Sequence, residues 1–242
     1  MGYVFKMNMN TKKLDSNKPI LFLGDHHGAW STLFDIIRDK KVSDCYIICV
    51  GDGGEGFIPE DKQLLQFENL NNLFKKHNIE YKSIRGNHSD PIYFQKETLI
   101  VLSNFELIED YTITEYGDKT IQFIGGAISI DRTGRKEGIS YWEDEGVIFN
   151  RDACQKVDIL VTHTAPSHCF PQKFNEMVYG WAREDAYLLE DLTDERSVMD
   201  EIFKICKPEL HLYGHFHSSW TERVNGCVSK LLDINELWEY RQ

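Results

Sequence analysis

The six cysteines form no CxxC pair, and four of them fall in or beside apolar segments, where a reduced thiol behaves as a small hydrophobe. A thiolate metal site and a disulfide framework are both excluded on that reading. No apolar run approaches the roughly 18 residues a membrane helix needs. The N-terminal MGYVFKMNMNTKKLDSN lacks the continuous apolar centre of a secretory signal, so a cytoplasmic protein with no membrane partner is expected. Clustered basic charge is missing too: Lys12-Lys13 and Lys75-Lys76 are isolated pairs in a chain of net charge −12. Nucleic-acid surfaces need stripes of Lys and Arg, so nucleic acid is not expected as a partner. Internal repeats and low-complexity tracts are absent.

What the chain does have is enough apolar matter for one large core, with 41% hydrophobic residues in 242, and one domain over 1–242 is expected. Much of the excess acid lies in 184–201, which reads as a solvated helical face or an acidic loop. Apolar periodicity predicts strands at 20–24, 45–50, 79–84, 158–162 and 210–213. Helices are predicted at 29–38, 60–77 and 194–206, the second from Leu64, Phe67, Leu70 and Phe74 at near-helical spacing. Two strands fit 111–130 around Gly117-Asp118, and a hairpin fits 220–224 and 227–232 through Asn225-Gly226. Gly125 and Gly126 indicate close backbone approach or a tight bend. A charged loop followed by a helix is expected over 131–157.

Four apolar runs end directly in polar clusters: ILFLGDHHG (20–28), YIICVGDGG (46–54), DILVTH (158–163) and LHLYGHFH (210–217), with RGNHSD (85–90) as a fifth cluster. A buried strand that delivers Gly-Asp, Thr-His or Gly-His at its carboxyl end places that group where open α/β sheets bind ligands. Asp25, His27, Asp52, Asn87, His163, His215 and His217 together offer carboxylate, amide and imidazole donors. That mixture suits Mn²⁺, Fe, Zn²⁺ or Ni²⁺ rather than a thiolate-selecting centre. Two such ions about 3.5–4 Å apart would share a bridging acid and clamp the attacking and departing oxygens of a displacement at phosphorus.

The series Asp25-x-His27, Gly51-Asp52, Gly86-Asn87-His88, His163 and Gly214-His215-x-His217 resembles the signature of the calcineurin-like metallophosphoesterases. The resemblance implies an α/β fold, a single-domain αββα sandwich of two facing mixed sheets flanked by helices, with a dinuclear site at the strands' carboxyl edges. It further implies that Asp25, His27, Asp52 and His217 hold one metal and Asp52, Asn87, His163 and His215 the other. The implied cofactors are two divalent metal ions, manganese in vitro, with Fe, Zn or Ni as alternatives. The implied reaction is phosphoester hydrolysis by a hydroxide attacking phosphorus in line, with His88 stabilising the transition state or protonating the leaving oxygen.

Two departures from the family pattern bear on detail. An acid often follows the active-site histidine directly; here Ser89 and then Asp90 follow His88, so either Asp90 orients the ring or the support comes from elsewhere. GDGGEG at 51–56 lacks the GDxVDRG form of the protein serine/threonine phosphatases, leaving Arg85, Arg132 and Arg135 as candidate phosphate contacts. His168, in the 164–193 stretch between two clusters, is a further candidate at the substrate, and that stretch is placed to shape a pocket or lid. Tyr141-Trp142 would pack the cleft mouth or anchor a helix. The expected substrate is a small phosphorylated molecule or phosphoprotein. The alternatives are a non-catalytic metal-binding scaffold and a dinuclear hydrolase of a non-phosphate bond.

Overall fold

The computed structural model describes residues 12–241; residues 1–11 of the leader lie outside the described residues. Strands β1 (Lys12–Leu14) and β2 (Ile20–Leu23) lead into helix α1 (Trp30–Asp39), β3 (Tyr46–Cys49), α2 (Glu60–Lys76) and β4 (Glu80–Ser83). Then come β5 (Phe105–Leu107), β6 (Ile113–Tyr116), β7 (Lys119–Ile124), β8 (Ile159–Thr162), α3 (Glu176–Trp181) and α4 (Leu188–Cys206). The chain closes with β9 (Leu210–Tyr213), β10 (Trp220–Val224), β11 (Cys227–Leu231) and β12 (Leu237–Tyr240).

These strands form two sheets, one ordered β12-β2-β3-β4-β5 and the other β1-β6-β7-β8-β9-β11-β10. β2 to β5 run parallel, with β12 antiparallel at the edge; β7, β8, β9 and β11 also run parallel. The alternation of each strand explains the layering. Ile20, Phe22, Tyr46, Ile48 and Val50 turn inward to meet Phe123, Val161 and Leu212 of the other sheet. Leu23, Ile47 and Cys49 turn outward onto α1 and α2, joining Leu33, Ile37, Phe67 and Phe74. Strands buried on both faces read as continuous apolar runs because each second residue serves a different layer. Leu160 and Ile124 pack outward against Met199, Ile202 and Phe203 of α4, completing a four-layer αββα sandwich.

The expected strands and helices at 20–24, 29–38, 45–50, 60–77, 79–84 and 210–213 correspond to β2, α1, β3, α2, β4 and β9 within a residue or two. The hairpin through Asn225-Gly226 is β10 and β11. The helix expected within 131–157 is absent, and only a 3₁₀ turn at Arg132–Gly134 forms. Its backbone is used otherwise: the carbonyls of Asp144, Glu145 and Gly146 accept from the Arg85 guanidinium at 3.0, 2.6 and 3.0 Å. The helix placed at 194–206 begins earlier, at Leu188, so most of the acidic stretch is its outer face while Glu195 is buried. Gly125 does sit against backbone, since a Cβ there would lie 2.6 Å from the Arg85 carbonyl. All six cysteines are free and buried.

Candidate metal centre

The carboxyl ends of β2, β3, β4, β8 and β9 meet at one edge of the sandwich, and each delivers its polar cluster there. Four of the seven donor residues have left-handed backbone: His27 (φ 47°), Asp52 (55°), His215 (68°) and His217 (46°). Such conformations cost about 1–3 kcal/mol each for non-glycine residues and persist where the surrounding fold over-determines them. The strained turns let one short loop aim two side chains, as Asp25 and His27 or His215 and His217, at a common point.

Asp25, His27, Asp52 and His217 place ligand atoms within 4.8 Å of one another, close enough to hold a metal ion. The nitrogens His27 Nε2 and His217 Nε2 lie 3.0 Å apart, and His217 Nε2 lies 3.3 Å from Asp25 Oδ2. Beside this group, Asn87 Oδ1 lies 3.1 Å from His163 Nε2 and 2.9 Å from His215 Nδ1. Asp52 stands between the two sets, its Oδ2 3.7 Å from His27 Nδ1 and its Oδ1 3.2 Å from His163 Nε2.

Hydrogen bonds behind the cluster fix which atom faces it. His163 Nδ1 donates to the Val50 carbonyl at 2.8 Å, which turns Nε2 toward Asp52 and Asn87. Asn87 Nδ2 donates to Ser129 Oγ at 3.0 Å, so its oxygen turns inward. The His88 N–H donates to Asp52 Oδ1 at 2.7 Å, and the His215 N–H to Asp25 Oδ2 at 3.0 Å. Gly214 is required by this crowding, because a Cβ there would fall 2.1 Å from Asp25 Oδ1. His26, also in the first cluster, turns away and bonds the Tyr81 hydroxyl at 2.9 Å in the core.

The electrostatics call for positive charge. Asp25 and Asp52 are wholly buried, at 0% and 1% exposure. Burial pushes the His163 imidazole down, but the Asp52 and Asp25 carboxylates outweigh it and bring it up to about 9. Burial likewise raises Asp52, and the His163 charge overrides it to hold the carboxyl well below its ordinary range. A protonated imidazole thus stands where a cation would otherwise balance the acids. The donor types, their orientation and this charge balance all fit divalent cations.

Around the cluster, the predicted contacts separate. His88 lies at the rim, its ring 4.8 Å from that of His27, with its Nε2 2.8 Å from Arg135 Nη2. Burial and the Arg135 charge hold its imidazole down to about 4 against the opposing pull of Asp52. Arg135 is in turn held by Asp131 at 2.7 Å. Asp90 does not touch His88; its Oδ1 accepts from the Ile92 N–H at 3.0 Å and caps a 3₁₀ turn. Arg85 is spent on the three carbonyls of 144–146 and on Asp110 at 2.9 Å. Arg132 pairs with Asp185 and Asp191, and His168 with Asp200 at 3.1 Å. Neither reaches the cavity over the cluster, whereas Arg135 lines it.

Several residues at the site carry no sequence signal of their own. Glu55, buried in the glycine-rich GDGGEG loop, accepts from Ser89 Oγ at 2.8 Å and ties that loop to the Asn87-His88 turn. Phe57 stacks on His88 at 5.7 Å and is itself edged by Trp142 at 5.4 Å, so Trp142 packs the rim. Glu145 accepts from the Ser129 N–H at 2.6 Å, extending the support behind Asn87. A lone acid two or three residues beyond a ligand is the sole hint that could have marked Glu55.

Among solved structures similar to the chain is a candidate 5′-nucleotidase from Staphylococcus aureus, at 15% identity and TM-score 0.48, matched over 90% of this chain and 49% of that one. The chain therefore spans about half the length of that protein. Phosphopantetheinyl hydrolase from Mycobacterium tuberculosis aligns at 12% identity and TM-score 0.43 over 90% of each chain. Vacuolar protein sorting 29 from Cryptosporidium parvum aligns at 12% identity and TM-score 0.34, over 90% of this chain and 74% of that one. No curated protein matches the chain. The calcineurin-like phosphoesterase family model matches residues 18–219, a span that takes in all five polar clusters, and the chain belongs to that family.

Proposed function

We propose that this protein is a dinuclear metal-dependent phosphoesterase, acting as one domain. In this reading Asp25, His27, Asp52 and His217 hold one divalent cation, and Asp52, Asn87, His163 and His215 a second. The observation that carries it is the position of Asp52, whose two oxygens face the two donor sets separately. Divalent cations bound there act as Lewis acids on a phosphoryl oxygen and make hydroxide available near neutral pH.

The chain's own residues then orient the ester and absorb charge. Arg135, fixed by Asp131, presents a permanent positive charge at the rim, and its fork suits a pair of phosphoryl oxygens. His88, stacked on Phe57 and hydrogen-bonded to Arg135, lies beside the same oxygens as charge gathers on them. The neighbouring guanidinium opposes a positive ring, which favours His88 as a hydrogen-bond partner over His88 as the proton source. Asp90 has no part in this reading. The acidic balance of the chain favours a small phosphorylated molecule over nucleic acid, and manganese is the expected activating ion in vitro. Buried reduced thiols fit a cytoplasmic setting.

The test is hydrolysis of p-nitrophenyl phosphate and its bis ester by chelated protein before and after Mn²⁺ addition, with His88→Ala in parallel. Turnover should return with the metal and fall by roughly 10²–10³ in the variant, the usual loss for one transition-state donor. No turnover in protein that binds two Mn²⁺ would favour a non-catalytic scaffold or a hydrolase of another bond.

A further inference from the structure

The cavity in front of the Asp and His cluster is much larger than a phosphoryl group needs. Its volume is about 890 Å³, near the top of the roughly 300–1,000 Å³ range that takes drug-sized ligands. One end holds the donor cluster, His88 and Arg135. The rest of the lining is mostly apolar, with Ile130, Phe170, Phe174, Met177, Trp181 and Phe216, and it also includes Lys173, Glu195 and Arg196. Apolar surface of this extent left open beside a reaction centre is a ligand groove in the making, because water in contact with it is unfavourable.

The wall is built to stay open. Arg196 Nη2 donates to the carbonyls of Pro166, Cys169 and Pro171 at 2.7, 2.9 and 3.0 Å, pinning the loop that carries Phe170. The same guanidinium lies 5.2 Å over the Phe216 ring and fixes it against the cavity. Phe170 stacks on Trp220 at 5.1 Å, and its carbonyl accepts from the Tyr213 hydroxyl at 2.9 Å. On the opposite side Phe174 and Trp181 pack on Val178, Leu188 and Leu192. Side chains held from behind in this way cannot collapse into the space between them. Met177 stands at the mouth, 63% exposed.

We infer that the substrate carries an uncharged apolar group of aryl or medium-chain alkyl size on its phosphoryl oxygen, and that this group sits in the chamber formed by the 164–193 segment and Phe216. The inference rests on the phosphoesterase reading for the position of the phosphoryl end. A bare phosphate or a small sugar phosphate would leave the aromatic wall wet.

The experiment compares ethylphosphonate and hexylphosphonate binding by calorimetry to the Mn²⁺-loaded full chain, and turnover of ethyl and hexyl phosphate beside it. Each methylene buried is worth roughly fourfold, so hexylphosphonate should bind at least about tenfold more tightly than ethylphosphonate even if only half its extra methylenes are buried. Trp181→Ala and Met177→Asp should each shrink that ratio, and the second changes an exposed residue that the fold does not depend on. Equal affinities for the two phosphonates, or an unchanged ratio in Met177→Asp, would overturn the chamber assignment. The two readings fail separately. A chain-length preference in binding with no ester turned over would uphold the chamber and contradict hydrolysis. Turnover with no preference in binding would do the reverse.

Discussion

Gly214→Ala probes the cluster without altering any donor. The added Cβ would lie 2.1 Å from Asp25 Oδ1 and 2.9 Å from Val50 Cγ2, inside the 3.0 Å that real Cβ contacts respect. Asp25 must therefore move by about 0.9 Å, and it would leave the His215 N–H that holds it at 3.0 Å. Metal-ligand distances tolerate about 0.2 Å, so a shift several times larger removes Asp25 as a ligand. A hundredfold loss of affinity, about 2.7 kcal/mol, is the expected scale. The assay is thermal unfolding of chelated protein with Mn²⁺ added to a hundred times the wild-type Kd. Wild type should gain about 2.7 kcal/mol, or roughly 5–10 °C for a chain of this size. At the same Mn²⁺ concentration the variant should gain about 0.4 kcal/mol, near 1 °C. Gly180→Ala, where a Cβ meets nothing within 4 Å, is the control. A full upshift in Gly214→Ala would refute the placement of Asp25 in the metal shell.

Asp131→Ala frees Arg135 from its 2.7 Å partner and should lower kcat about tenfold, with the Mn²⁺-induced upshift in Tm unchanged. Asp90→Ala should instead destabilise by about 1 kcal/mol through the lost 3₁₀ cap and leave kcat alone; the opposite pattern in the two variants would restore Asp90 as the partner of His88. Glu195 is buried, and burial pushes its carboxyl from the ordinary 4.5 up to about 7. Between those pH values the folded chain keeps a proton that the unfolded chain releases, so the contribution is full below 4.5 and gone above 7. Urea unfolding of chelated Glu195→Gln should therefore lack a fall of about 3 kcal/mol that wild type shows from pH 4.5 to 8, and parallel curves for the two proteins would count against it.

Most of the donor set was legible because Asp25, Asp52, His163, His215 and their neighbours follow buried strands, and a strand buried on both faces is written as an unbroken apolar run; Asn87 is the exception, coming after β4, whose burial alternates. Asp25, Asp52 and His163 needed no more than that. β5 and β12 were not legible: each is an edge strand of three or four residues with a single neighbour, and Leu237–Tyr240 mixes Leu, Trp, Glu and Tyr without a clear period. α3 is six residues long and contains Gly180, which carries too little periodicity to detect. Among the arginines, sequence offered three equal candidates, since a guanidinium's partners lie far away along the chain. Arg85 found its carbonyls about sixty residues on and Arg132 its acids at 185 and 191; Arg135 alone turned toward His88. The support for the Asn87-His88 turn came from Glu55, thirty-four residues earlier than Ser89, a pairing only the fold could make.

The central claim is that Asp52 joins two cation sites in one hydrolytic centre. Chelated protein titrated with Mn²⁺ while p-nitrophenyl phosphate turnover is followed tests it most directly. The account predicts that activity rises to a break at two equivalents per chain. A break at one equivalent, or full turnover in the chelated protein, would contradict it.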